Sequence, residues 1–312
     1  MNKVFMITIN SAVEEVIYAE LYEEPVVGEI ISKESFYTGK AVNSGLVLSN
    51  LNICCDLKIV CGEDTSEIYS HFNSQYRKVK VYPVKGQTRR NQTIVVSNGK
   101  EYKVINKGYS LLPNQLDELS NDVINEVGLG DYVLIAGSLP EGIPNYWYRE
   151  LIKKLRRRGG RVFLDTANDV LEEGIKGHPY YIKPNETEFS YFGNKKNISD
   201  ISEKIKEISI KNEICNVIVT LGEQGALGYN NQEDKVIHVY SDEVFPSPSM
   251  TTGCGDSFNA GFIYGELKGM DFLNSLIYGV AFGGANIRAG FPERIKEKDI
   301  MERLQYIKYK IL

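Results

Sequence analysis

Histidine is nearly missing from this chain. Three occur in 312 residues (His71, His178 and His238), none at ligand spacing from another His or Cys. A His-based zinc centre and a Ser-His-Asp hydrolase both need placed imidazoles, so both are excluded as first readings. Cysteine is scarce and odd in number (Cys54, Cys55, Cys61, Cys215 and Cys254), with no CxxC pair. Neither a disulfide scaffold nor structural zinc is expected, and a reducing, cytoplasmic setting fits. No apolar run approaches the ~18 residues of a membrane span. The N-terminal MNKVFMITIN is too short and polar for a signal peptide and reads as a strand. Positive charge is not in excess: 36 Lys+Arg stand against 41 Asp+Glu, a net charge of −5. Nucleic-acid binding would need a basic footprint that is absent. No internal repeat or low-complexity linker is visible. What is present is a chain that is 42% hydrophobic and 25% charged, enough to bury a core and incompatible with wholesale disorder. Its length allows one large domain or two smaller ones.

Strand and helix signals alternate along the chain. Short apolar runs at 4–9, 58–61, 78–83, 131–136, 161–164 and 216–219 have strand length. Leu151, Ile152 and Leu155 mark an amphipathic helix closed by a basic run and Gly159-Gly160. This rhythm predicts an α/β fold with a mainly parallel sheet and helices on both faces. Active sites in such sheets lie outside the carboxyl ends of the strands. Two stretches break the pattern. Residues 90–97 and 100–105 flank Asn98-Gly99 and read as a β-hairpin, and residues 14–36 are strand-like, rich in Val, Ile and Tyr. Two arrangements are open for them: a small separate sheet covering the strand ends as a lid, or an edge extension of the main sheet.

The sharpest motif is Thr251-Thr252-Gly253-Cys254-Gly255-Asp256-Ser257-Phe258, a glycine-rich turn running into a helix whose apolar face is Phe258, Phe262, Ile263 and Leu267. Its glycines allow successive N–H groups to point at one spot, where the helix N-terminus adds partial positive charge. This describes an anion hole, and Asp256 beside it suits a general base for a nearby hydroxyl. The same residues also suit an N-cap and a tight turn. Neither a Walker loop nor the dinucleotide pattern GxGxxG is present.

GCGDSFNAGFIYG resembles the C-terminal signature of the PfkB, or ribokinase-like, carbohydrate kinases. Further motifs match in order: Thr8-Ile9-Asn10-Ser11-Ala12-Val13-Glu14, Gly39-Lys40-Ala41-Val42-Asn43, Thr88-Arg89 with Asn91, Gly137-Ser138-Leu139-Pro140, Lys183-Pro184-Asn185 with Glu188, and Thr220-Leu221-Gly222-Glu223-Gln224-Gly225. The likeness spans nearly the whole chain. It implies one ribokinase-like domain over 1–312, a three-layer sandwich with a lid built from inserted segments at about 12–37 and 86–106.

The resemblance also implies roles. Asp256 would take the proton of the attacking sugar hydroxyl, with the N–H groups of Gly253, Cys254 and Gly255 stabilising the transferring phosphoryl group. ATP would lie against Lys183, Asn185, Thr220, Gly222 and Gly225, with Gly283 and Asn286 on the adenine side. Glu188 and Asn185 would place Mg²⁺, through water; as an isolated pair they equally suit a helix cap. Arg89 would grip a substrate phosphate, with Glu14, Gly39, Lys40, Asn43 and Ser138 lining the sugar. Glu14 stands where the family has Asp, Ser11 replaces its Pro, Ala41 replaces a glycine, and Cys254 replaces a small Ala or Ser. Gly-Ser-Leu-Pro and Gly86-Gln87-Thr88-Arg89 are most similar to the tagatose-6-phosphate kinase and 1-phosphofructokinase branch. The implied partner is a small sugar phosphate, tagatose 6-phosphate ahead of fructose 1-phosphate, with no nucleic acid and no membrane. A homodimer through the lid follows from the same resemblance. A sugar-phosphate sensor without catalysis is the rival from another class.

Overall fold

The computed structural model describes residues 2–22, 27–74, 76, 78–97, 100–193, 197–243 and 251–312. Its strands are β1 (Val4–Thr8), β2 (Ala12–Tyr22), β3 (Val27–Thr38), β4 (Asp56–Gly62), β5 (Lys78–Val84), β6 (Arg89–Val96), β7 (Glu101–Val104), β8 (Tyr132–Ala136), β9 (Arg161–Asp165), β10 (Tyr181–Ile182), β11 (Asn216–Thr220), β12 (Ala226–Asn230), β13 (Lys235–Ser241) and β14 (Ile307–Ile311). Ten of them form one sheet in the order β14-β13-β12-β11-β10-β9-β8-β1-β4-β5. From β5 to β11 every pairing is parallel, and from β11 to β14 every pairing is antiparallel.

Alternation along the central strands builds the layers. Phe5 and Ile7 of β1, with Val133 and Ile135 of β8, enter the core on one face, together with Leu119, Val123, Leu151, Ile152 and Leu155 from helices. Val4 and Met6, with Tyr132, Leu134 and Ala136, enter the other core, shared with Val42, Leu46, Phe258, Phe262 and Phe282. A strand buried on both faces reads as a continuous apolar run, which is why β1 (VFMIT) and β8 (YVLIA) were legible as strands. The helix marked by Leu151 runs from Trp147 to Arg157 and buries that residue with Ile152 and Leu155.

The two rhythm-breaking stretches form a second sheet of their own, in the order β3-β2-β6-β7. The edge-extension alternative is therefore set aside. Residues 14–36 comprise parts of two antiparallel strands, β2 and β3, and β2 pairs with β6 in parallel, from Ala12 opposite Arg89 to Ala19 opposite Val96. Strands β6 and β7 pair antiparallel as the hairpin requires; its turn, Asn98-Gly99, lies outside the described residues. The antiparallel edge β12–β14 had no clear signal, because hairpins inside a long α/β chain change none of the patterns that mark each strand alone. Among the described residues, no helix is long and apolar enough to cross a membrane.

Candidate active site

The carboxyl ends of the parallel strands converge on one polar region, as the topology demands. Thr8 ends β1, Gly137 follows β8, Asp165 ends β9, Lys183 follows β10 and Thr220 ends β11. Facing these ends is the N-terminus of the 14-residue helix Cys254–Leu267. Its N-cap, Gly253, has φ +86°, and a Cβ there would fall 2.5 Å from Pro292 Cγ. Backbone conformation and packing each require glycine at this position. Asp256 lies in the helix's first turn and is buried.

The helix Lys40–Asn50 crosses beside it. Asn43 Nδ2 donates to Asp256 Oδ2 at 2.7 Å, and Ser44 Oγ donates to the Asp256 carbonyl at 2.8 Å. Gly39 caps that helix against β1, where a Cβ would meet Thr8 Cγ2 at 2.6 Å. Lys40 Nζ sits 2.9 Å from Asp165 Oδ1 and 3.6 Å from Glu188 Oε1. Lys183 Nζ is 3.2 Å from Asp165 Oδ2, and a side chain on Gly255 would come within 3.2 Å of that same ammonium. Asn259 also donates to Asp165. One buried carboxylate thus holds two lysines from opposite sides of the site.

The electrostatics divide the two aspartates. Burial pushes the Asp256 carboxyl up to about 7, with the nearby Asp165 charge adding to the rise and Lys40, Asn43 and Lys183 opposing it. Burial would raise Asp165 too, yet Lys183 and Lys40 outweigh it and hold that carboxyl at about 2. The arrangement gives one permanent anion that fixes the lysines and one carboxylate that changes charge near neutrality, the property a general base needs. Burial lifts the Cys254 thiol to about 11, so it is no nucleophile at neutral pH.

Asn185 and Glu188 form a reciprocal cap: Glu188 N donates to Asn185 Oδ1 and Asn185 N donates to Glu188 Oε2, both at 2.8 Å. The capping alternative is thus realised, and Glu188 keeps Oε1 directed toward Lys40. Among the described residues no group of three His, Cys, Asp or Glu side chains could cage a metal. A hard ion held by one carboxylate, phosphate oxygens and water fits this donor set; an all-protein cage does not. Thr220 N donates to Pro184 O, which sets the loop after β11 beside the one after β10. Gly222, with φ +57°, would point a Cβ into open space. Gly225 is explained by packing, since its Cβ would meet Val239 O at 2.1 Å. Gly283 and Asn286 stand behind the anion loop. A Cβ on Gly283 would lie 3.5 Å from Cys254 O, while Asn286 is fully buried, donates to Thr252 O at 2.9 Å and accepts from Ser257 Oγ at 3.2 Å. Asn286 shapes the loop from beneath.

On the side of the second sheet, Glu14 accepts from Asn91 Nδ2 at 2.7 Å. Burial raises the Glu14 carboxyl, against the pull of Asn91, Arg89 and Lys103. Arg89 Nε is buried with no hydrogen-bond partner, whereas Arg90 points the other way and pairs with Glu15 and Asp64. Ser138 Oγ accepts from Asn10 Nδ2 at 3.0 Å; Asn10 Oδ1, Thr8 Oγ1 and Thr166 Oγ1 are buried and unpartnered. Buried polar atoms without partners are uncommon, and these three lie at or just beyond the carboxyl ends of β1 and β9. Asp165, Asn259 and Asn10 were not singled out from the sequence. The signal for Asp165 was available: it is the acidic residue that immediately follows the apolar run at 161–164.

The chain belongs to the pfkB family of carbohydrate kinases, whose pattern matches residues 5–291. A 1-phosphofructokinase of Haemophilus influenzae is 27% identical over 311 residues, covering 98% of each chain. A tagatose-6-phosphate kinase of Staphylococcus epidermidis is 24% identical over 315 residues, covering 97% of this chain and 99% of the relative. In three dimensions, phosphofructokinase-2 from Escherichia coli in complex with potassium superposes with a TM-score of 0.88 at 22% identity, covering 98% of this chain and 99% of that one. The fold is ribokinase-like, with a mainly parallel central sheet and a separate small one.

Proposed function

We propose that the chain transfers a phosphoryl group from ATP to a hydroxyl of a ketohexose monophosphate, giving the bisphosphate. The observation that carries the phosphorylated acceptor is Arg89, whose buried Nε has no partner within the protein. A guanidinium so placed suits a phosphate dianion. Tagatose 6-phosphate is the acceptor favoured by the motifs, and the full-length likeness to a 1-phosphofructokinase supports fructose 1-phosphate beside it.

When bound, ATP would supply the phosphoryl group and Mg²⁺ would neutralise part of its charge. The chain's own residues do the rest. Asn43 holds Asp256 Oδ2 and leaves Oδ1 to take the hydroxyl proton. The N–H groups at 253–256 and Lys183 face the region where charge develops. Glu188, whose Oε2 is taken by the cap, would help to hold the metal. Lys40 and Lys183 are both held in place by Asp165. The second sheet serves as a lid that excludes water from the transfer. Its exposed Ile30, Ile31, Tyr102 and Val104 support a homodimer through this sheet.

The test is a coupled ADP-release assay with ATP and Mg²⁺ against tagatose 6-phosphate, fructose 1-phosphate, fructose 6-phosphate, fructose and ribose. A kcat/KM of about 10⁴ M⁻¹s⁻¹ or more on one ketohexose monophosphate is the expected result. Turnover confined to fructose or ribose, or none on all five, overturns the assignment. Arg89→Ala is expected to raise the KM for the sugar phosphate by about 10- to 100-fold, the worth of a charged hydrogen bond, with the KM for ATP unmoved. An unchanged sugar-phosphate KM would remove Arg89 from the site.

A further inference from the structure

The segment that leaves the helix Phe272–Ala289 touches three parts of the site at once. The Phe291 ring stacks on Phe36 of β3, with centroids 3.8 Å apart and planes at 23°. The Arg294 guanidinium lies 5.3 Å from the Phe291 ring and 5.6 Å from the Phe36 ring, and its Nη2 pairs with Glu34 Oε2 at 3.0 Å. Between these two residues, Pro292 is buried and packs against Gly253, so closely that a Cβ on the glycine would overlap the ring. Asn50, at the end of the helix carrying Lys40 and Asn43, donates to the carbonyls of Glu293 and Ile295, both at 3.0 Å.

Register places this contact on a particular face of the second sheet. Phe36 is directly opposite Glu14, and Glu34 is opposite Val16. Cross-strand partners share a face, so Phe36 and Glu34 lie on the face that carries Glu14 beside Arg89. Val16 and Phe36 form a small buried cluster with Phe291, joined by Val95. This cluster is separate from the two cores of the main sheet and is the apolar joint between the second sheet and the loop that follows the long helix.

We propose that Phe36, Phe291 and Arg294 are positioning residues, a latch that ties the second sheet to the shape of the 253–256 loop. Gly253 packs against Pro292 with no room for a side chain between them, and Pro292 sits between two residues held by the sheet. A displacement of β3 moves Phe291 with it, and Pro292 then presses on or releases the turn that aims the loop's N–H groups. The sheet that covers the sugar side thereby sets the geometry of the phosphoryl side. The catalytic meaning of this coupling rests on the reading that the 253–256 loop receives the phosphoryl group.

The test combines a readout that needs no substrate with one that does. In hydrogen exchange of the full-length protein, Phe36→Ala is expected to speed exchange at least about threefold in peptides from 30–38 and also in peptides from 251–258, while Phe36→Tyr restores both. Arg294→Ala, a change at a half-exposed side chain, is expected to do the same more weakly and serves if Phe36→Ala does not fold. Faster exchange confined to β2 and β3 overturns the latch. In kinetics on whichever sugar phosphate the native protein phosphorylates, Phe291→Leu is expected to lower kcat by about tenfold with little change in sugar-phosphate KM. A rise in KM alone would show a contact of the sugar side only and overturn it. If the native protein phosphorylates none of the sugars, the proposed acceptor fails, and the exchange pattern still decides the latch.

Discussion

Asp256→Asn is expected to lower kcat by at least about a hundredfold with ATP affinity little changed, as loss of a general base does. The amide keeps the shape and the position beside Asn43 but cannot take a proton. The native enzyme's own pH profile is the companion result. Burial, more than any partner, lifts the Asp256 carboxyl to about 7. Only the ionised form accepts a proton, so kcat/KM should rise with pH through about 7 and level off above it. The same shift has a stability consequence with a definite sign. The folded carboxyl titrates well above the unfolded value of about 3.9. Its favourable contribution is therefore complete below about pH 4 and is lost as pH rises through 7. Asparagine never ionises, so the variant should be more stable than the native protein at pH 8, by up to about 4 kcal/mol, and the gain should fade toward pH 4. Thermal melts at the two pH values and a kcat measurement check both halves. Near-normal turnover in the variant would sink the assigned role.

What the sequence made legible, and what it did not, follows from where the information resides. The glycine turn entering the 254–267 helix was legible because its chemistry is local: two glycines, an acid and an apolar helical face lie within one short stretch. The buried strands were legible because a strand covered on both faces must be apolar throughout. The second sheet was legible only as strands, since whether it pairs with the main sheet depends on partners far along the chain. Asn43 and Lys40 show the same limit. Their place at the sugar is implied by the motif, and the fold adds partners that the motif does not name: Asn43 donates to Asp256 and Lys40 is engaged by Asp165. Nothing within the run from Gly39 to Asn43 announces a carboxylate that arrives more than a hundred residues later. Asn286 is fully buried and bonded to Thr252 and Ser257, contacts no motif announces, because a long helix brings one residue per turn to each of its neighbours and the motif does not say which.

Asp165→Asn is expected to be the most damaging change to stability near the site, and its kinetic signature differs from that of Asp256→Asn. Asp165 is nearly inaccessible and neutralises Lys40 at 2.9 Å and Lys183 at 3.2 Å. Removing its charge leaves two buried or half-buried ammonium groups facing one another across an amide, which costs about 3 kcal/mol, in the range for breaking a buried ion pair. The pH dependence has the opposite sign to that of Asp256. Burial works against ionisation, but Lys183 and Lys40 win and hold the carboxyl at about 2. Its stabilisation is present above the unfolded value of about 3.9 and is lost as pH falls through 2. The variant's deficit should thus be full at pH 7 and shrink below about pH 4, which denaturant titrations at the two ends can measure. Activity should respond through Asp256. The Asp165 charge raises the Asp256 carboxyl, and both lysines, once released from Asp165, act more strongly on Asp256. All of these changes favour ionisation, so the midpoint of the pH–rate profile should move below 7 even as kcat falls from the loosened lysines. A midpoint that stays at 7 would mean that burial alone sets the base, and that Asp165 serves only to hold Lys40 and Lys183 in place.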